Sequence, residues 1–128
     1  MPGTAAPAKL DARLRVLPGR EGALLAGVRC QACGYRIAGE APWCPKCRGA
    51  VEPAQFGPRG VVWSVTTVWI GVQDRATPYT LAYVDLDDGP RILAHVEGAD
   101  PVAPPVVGAR VALTGTTIEG DPAVEVTP

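Results

Sequence analysis

This 128-residue chain has a single histidine, the side chain that most often carries acid–base chemistry, and an aromatic content of only 5% with one phenylalanine. It contains no G-x-S-x-G elbow, no phosphate-cradling glycine loop and no dinucleotide fingerprint. No apolar run reaches the roughly 18 residues needed to cross a bilayer. The start, with Lys9, Asp11, Arg13 and Arg15, leaves no room for a signal-peptide core. A soluble, cytoplasmic protein without membrane contact is expected. An organelle transit peptide is the alternative for the Arg-bearing, Ala-rich start, and Asp11 and the scattered prolines argue against it.

The chain is instead rich in glycine (15), proline (14) and small β-branched residues, a composition of short strands and many turns. Residues 1–27 read as a tail followed by a short helix, because Leu10, Leu14 and Leu17 have helical spacing before Pro18-Gly19. Residues 28–50 hold all four cysteines. Residues 51–59, in the Gly- and Pro-rich stretch RGAVEPAQFGPRG, read as a connector that turns.

Residues 60–128 read as a β domain. Strands are expected at Val61–Val72, Tyr79–Leu86, Arg91–Val96, Arg110–Thr117 and Ala123–Thr127, with Asp87-Asp88-Gly89-Pro90 as a hairpin turn. Five short strands, the first long enough to serve both halves of a barrel, fit a five-stranded Greek-key barrel of the OB type; a small open sandwich is the alternative. The fold class is thus mostly β, a small cysteine ribbon followed by an OB-fold barrel.

The cysteines are arranged Cys30-x2-Cys33-Gly34, then Cys44-Pro45-Lys46-Cys47 after ten residues. Two residues between paired cysteines let both sulfurs reach one tetrahedral ion at about 2.3 Å while backbone N–H groups turn towards them. Gly34 and Gly49 would supply the positive φ of such turns. One structural Zn²⁺ is the leading reading, with iron in the rubredoxin manner and disulfides as alternatives. Four thiolates leave no open coordination position, so the metal would stabilise and not catalyse. It would replace a core that residues 28–49, with little beyond Val28, Tyr35, Ile37 and Trp43, cannot make.

The remaining polar candidates point elsewhere than to catalysis. Alternation on Arg91–Val96 sets Ile92, Ala94 and Val96 on one face and His95 with Leu93 on the other, as a surface or hydrogen-bonded histidine. Asp87 and Asp88 fall in the hairpin turn, where Asp serves the local backbone. By period two Trp63 shares a face with Val61, Val65 and Thr67 and reads as core. Trp69 and Tyr79 flank the loop Ile70–Pro78 and are candidates for a partner or ligand surface.

Charge is segregated. Residues 1–59 carry nine Lys/Arg against four acids, and residues 60–128 three against nine. A single-strand nucleic-acid binder needs a basic groove on its barrel, and this barrel half is acidic, so nucleic-acid binding is kept only as the alternative function.

In order, the motifs are Arg29-Cys30-Gln31-Ala32-Cys33-Gly34, Trp43-Cys44-Pro45-Lys46-Cys47, Gly60-Val61-Val62-Trp63-Ser64-Val65-Thr66, Pro78-Tyr79 ahead of Leu81–Gly89, and Val107-Gly108-Ala109-Arg110-Val111. In that order they resemble the family in which a rubredoxin-like zinc ribbon precedes an OB-fold, number thirty-five among the domains of unknown function. The resemblance covers roughly residues 24–118. It implies a non-catalytic subunit that assembles with a thiolase or a thiolase-like aldolase or acyltransferase, one copy on each protomer in a two-plus-two hetero-oligomer. It also implies a part in binding or channelling acyl-CoA, in some relatives within the hydratase/aldolase complexes of steroid side-chain breakdown. Arg29, Arg36, Lys46 and Arg48 on the ribbon are then candidates for the phosphates of coenzyme A.

Overall fold

A computed structural model describes residues 14–71 and 75–128. Its described residues form nine strands and no α-helix. The first four make one sheet: β1 (Val16–Gly19), β2 (Gly22–Cys30), β3 (Arg36–Ala38) and β4 (Val51–Phe56). β2 is its spine. It pairs with β1 and then β3 along one edge and with β4 along the other, all antiparallel.

Two expectations change here. Positions 10–13 of the expected helix lie outside the described residues, and its last residues, Val16 and Leu17, belong to β1. The apolar spacing there serves a hairpin that turns at Arg20-Glu21, with Gly19 opposite Gly22. The stretch 51–59 is not only a connector, since Val51–Phe56 pairs with Leu25–Cys30. Pro53 is accommodated because β2 is the only strand paired with β4, so the missing N–H falls on an edge strand.

The remaining strands are β5 (Arg59–Val68), β6 (Tyr79–Leu86), β7 (Arg91–Val96), β8 (Arg110–Thr116) and β9 (Pro122–Val126). They close into a barrel in the order β5-β6-β7-β9-β8, with β8 pairing back onto β5. The β7–β9 pair is parallel and the others antiparallel, which is the closure of a five-stranded OB barrel. The interior follows from alternation: Ala82, Val84 and Leu86 on β6 face Ile92, Ala94 and Val96 on β7, with Val62, Val111, Leu113 and Val124 completing it.

The sheet and the barrel share one core. Ala23, Leu25 and Phe56 from β2 and β4 belong to the same buried cluster as the barrel residues. The junction is also pinned by polar contacts: the Leu113 N–H donates to the Pro58 carbonyl at 2.7 Å, and the Gly57 N–H to Asp88 Oδ1 at 2.8 Å. The base of the ribbon is thereby seated on the barrel, and its cysteine-bearing tip projects away from this core.

Candidate metal centre

The tip is built from two turns of the same design. Cys30 ends β2, and its carbonyl accepts from the Gly34 N–H at 3.0 Å while its own N–H donates to the Tyr35 carbonyl at 2.8 Å. Fourteen positions later the Cys44 carbonyl accepts from Arg48 N–H at 2.8 Å and the Cys44 N–H donates to the Gly49 carbonyl at 2.9 Å. Each turn also aims an amide at its first sulfur, Ala32 N–H to Cys30 Sγ at 3.3 Å and Lys46 N–H to Cys44 Sγ at 3.4 Å. Further amides reach sulfur from Cys33, to Cys30 Sγ, and from Gly49, to Cys47 Sγ, both at 3.4 Å.

The positive φ expected at Gly34 and Gly49 is found at Gly34 (78°) and at Arg48 (65°), the equivalent positions of the two turns. Gly49 has a different reason to be glycine. A Cβ there would stand 3.2 Å from the sulfurs of both Cys30 and Cys47 and 3.1 Å from Ala32 Cβ, so any side chain would press on the cluster.

The four sulfurs lie within 4.8 Å of one another, with Cys30–Cys47 at 3.4 Å and Cys33–Cys44 at 3.7 Å. These separations are too long for a sulfur–sulfur bond of about 2.05 Å, and the cysteines are free. They approach the edge of a tetrahedron, about 3.8 Å, that metal–sulfur bonds of about 2.3 Å require. Cys30 and Cys44 are buried and Cys33 and Cys47 exposed, so one side of the cluster is shielded.

Ionisation within the cluster is uneven. The Cys30 thiol is drawn down to about 6, first by the Cys33 N–H and then, against burial, by Ala32 N–H and its neighbouring sulfurs. Burial is the largest influence on Cys44 and opposes its ionisation, but the N–H groups of Cys47 and Lys46 outweigh it and lower the thiol. For Cys47 the Gly49 N–H favours the thiolate most strongly, yet the sulfurs of Cys30 and Cys33 together with burial push it up to about 12. Repulsion between sulfurs thus keeps the proton on Cys47, while amide donors favour the thiolates of Cys30 and Cys44. A bound cation relieves that repulsion, and the donor set fits a metal ion.

Of the basic candidates on the ribbon, Arg29 and Arg36 are exposed and directly opposite each other on β2 and β3, with Glu52 across from Arg29 on β4. Lys46 Nζ sits 5.8 Å over the Tyr35 ring, and Arg48 is exposed. They are spread over the tip and do not converge. Arg36 alone of the four lines a cleft between ribbon and barrel, which Tyr35, Ile37, Pro45, Pro90 and Arg91 also border.

Trp69 and Tyr79 sit near the same end of the barrel but in different states. Trp69 follows β5 and is 57% exposed. Tyr79 is half-buried, with its ring 5.4 Å from that of His95 and Arg75 above it at 5.6 Å. His95 lies on the outward face of β7. Because an arginine only donates, Arg75, 2.8 Å away, makes His95 Nε2 the acceptor, and Arg75 also pairs with Asp121 at 3.1 Å. The acidic residues of the hairpin are engaged likewise. Asp85 takes Arg91 through two hydrogen bonds, Asp87 takes Arg110 through two, and Asp88 caps the Gly57 amide.

Trp63 is not in the core. Trp63 faces out by plain alternation from the buried Gly60 and Val62, and the β-bulge between Val62 and Ser64 then brings Val65, opposite the buried Ala82, to the inner face, so the period of two that grouped Trp63 with Val65 and Thr67 breaks there. Its surroundings, Tyr83, Leu93 and Arg91, were missed as a site by alternation along β5. The signal available was β6 itself, YTLAYVDL, which is apolar at both odd and even positions.

Comparison with known proteins supports the resemblance drawn from the motifs. Residues 54–116 match the family model of the C-terminal OB-fold domain of ChsH2. Over 75 residues the chain is 39% identical to the benzoylsuccinyl-CoA thiolase subunit BbsA of Geobacter metallireducens, covering 58% of this chain and 51% of that protein. Over 81 residues it is 31% identical to a DUF35 domain-containing scaffold protein of Methanocaldococcus jannaschii, covering 60% and 57%. The chain thus spans about half the length of the curated relatives it matches. Among solved structures, the Ltp2-ChsH2(DUF35) aldolase shares the fold at a TM-score of 0.67 and 24% identity, covering 80% of this chain and 84% of that one.

Proposed function

We propose that this chain is a non-catalytic accessory subunit of a thiolase-superfamily enzyme, its ribbon held by one structural Zn²⁺ on Cys30, Cys33, Cys44 and Cys47. The observation that carries the reading is its similarity to a thiolase subunit and to a scaffold protein of the same domain type. The metal cluster agrees with it. Bound zinc would supply cross-linking of the two turns, since four thiolates fill its coordination shell. The amides of Ala32, Cys33, Lys46 and Gly49 hold those sulfurs in place.

The partner is a thiolase, or a thiolase-like aldolase or acyltransferase including those of steroid side-chain breakdown. One copy would sit on each protomer of its dimer. A role in admitting acyl-CoA is part of the proposal, with Arg36 in the cleft between ribbon and barrel as the basic residue best situated for a phosphate. Arg29, Lys46 and Arg48 are peripheral candidates for the same charge.

The test is to assay a thiolase-superfamily protein of the same organism with and without this chain, on its acyl-CoA substrate. Turnover or acyl-CoA affinity is expected to rise at least several-fold with the chain present, and the chain alone is expected to be inactive. Turnover by the isolated chain would contradict the reading. So would micromolar, steeply salt-dependent binding to single-stranded oligonucleotides, which would favour the nucleic-acid alternative.

A further inference from the structure

β6 is apolar on both sides. Ala82, Val84 and Leu86 fill the barrel, while Leu81 and Tyr83 point outwards. A strand covered on both faces reads this way, but here the outer side is open. Tyr83 is 44% exposed, Leu93 beside it on β7 is 44% exposed, and Trp63 on β5 is 51% exposed. The outward ring of Trp63, beside the bulge, stands edge-on to Tyr83, with centroids 6.2 Å apart and planes at 79°. One continuous aromatic and aliphatic patch therefore crosses three neighbouring strands.

Its charges are already neutralised. Arg91 lies over Trp63, 3.8 Å from the ring centroid, and its Nε and Nη2 donate to the two Asp85 oxygens at 2.6 and 3.1 Å. At the next outward position of β7, His95 is held by Arg75, which is itself paired with Asp121. Among the described residues, Arg91 and His95 of this patch are already engaged, which disfavours a nucleic-acid backbone or the anionic end of coenzyme A as its occupant. What the patch complements is an uncharged apolar surface. Trp, Tyr and a stacked Arg with few free charges are also the composition of the energetic centre of a protein interface.

We propose that the outer face of β5–β6–β7, centred on Trp63, Tyr83 and Leu93, is the surface on which a folded partner protein docks an uncharged apolar patch. This deepens the accessory-subunit reading and rests on it. The end of the barrel that carries Trp69 then lies at the margin of the contact and not at its centre.

The experiment uses the full chain with a thiolase-superfamily protein of the same organism that the assay above shows it to activate. Leu93→Asp and Trp63→Ala are compared with Ile118→Asp, a control at an exposed turn between β8 and β9. The first two are expected to weaken the complex by roughly thirtyfold or more, and the control by less than about twofold. In the wild-type complex, hydroxyl-radical oxidation of Trp63 and Tyr83 is expected to fall while that of Trp43 on the ribbon stays as in the free chain, a readout independent of whether a variant folds. Wild-type affinity in both face variants, or undiminished oxidation of Trp63 in the complex, overturns the docking face and leaves the accessory-subunit reading standing. Failure of the wild-type chain to bind overturns that reading and the face with it. A dimer of this chain that Leu93→Asp dissociates overturns the choice of partner.

Discussion

Glycine and arginine at the ribbon tip divide two tasks that look alike in the sequence. Gly34 supplies a left-handed turn in open space, so Gly34→Ala is expected to cost about 1–2 kcal/mol from backbone strain alone. Arg48 already bears that strain at φ 65°, so Arg48→Gly is expected to be neutral or stabilising by up to about 1 kcal/mol. Gly49→Ala acts through space, because its Cβ meets two ligand sulfurs. It is expected to lower metal affinity at least tenfold in a competition titration with a chromogenic chelator, whereas equal affinity would show that the sulfurs can move aside. The spacing of the cysteines was legible because metal geometry dictates it. Which glycine bends the chain and which merely makes room was not, since both stand next to a cysteine pair.

The two carboxylates of the hairpin give a pH signature. Hydrogen bonds from Arg91 hold the Asp85 carboxyl below its usual range, and those from Arg110 do the same for Asp87. A group whose folded value is depressed stabilises above its unfolded value, about 3.9, and loses that contribution as the pH falls through the folded one. Stability of the barrel is therefore expected to decline below about pH 4. Asp85→Asn and Asp87→Asn should each flatten that decline in urea unfolding followed from pH 5 downwards. Both pairs are nearly half exposed, so the effect is small and fades in high salt.

At the scale of elements, β6 and β7 begin and end where alternation and the Asp-Asp-Gly-Pro turn put them, because strands facing a closed interior must alternate. β4 was hidden by Pro53, which is harmless on an edge strand, and β1 by a leucine spacing that suits a helix as well as a hairpin. Grouping Trp63 with Val65 and Thr67 fails because one extra residue at the bulge reverses the later positions, so Trp63 faces out while Val65 and Thr67 lie opposite the buried Ala82 and Thr80. Phe56, the last residue of β4, is the clearest link between elements, buried in the cluster that joins Leu25 of the ribbon to Leu86 and Leu113 of the barrel. Phe56→Ala is expected to cost about 3–5 kcal/mol and to lower the single unfolding transition of the whole chain. A change confined to the ribbon would mean that the two parts unfold separately.

For the molecule as a whole, a ribbon with a four-cysteine tip and an apolar base is fastened to a barrel whose outer face carries aromatics and few free charges. Chelation is expected to disorder the tip around Cys33 and Cys47, while the barrel, with its own apolar interior, persists. Amide exchange with and without chelator would register the difference: rapid exchange at 30–49 and protection retained at 79–96. The fold class and the clustering of the four cysteines could be inferred from motif order. The joined core and the docking face depend on contacts between distant residues, which no local pattern displays.

Native mass spectrometry of the chain co-expressed with a thiolase-superfamily protein of the same organism tests subunit role and metal together. The expected species contains two copies of this chain, two partner protomers and one zinc ion per copy of this chain. A spectrum holding only the free monomer beside an intact partner dimer would contradict the role, and copies of mass two disulfides lighter with no metal would contradict the site.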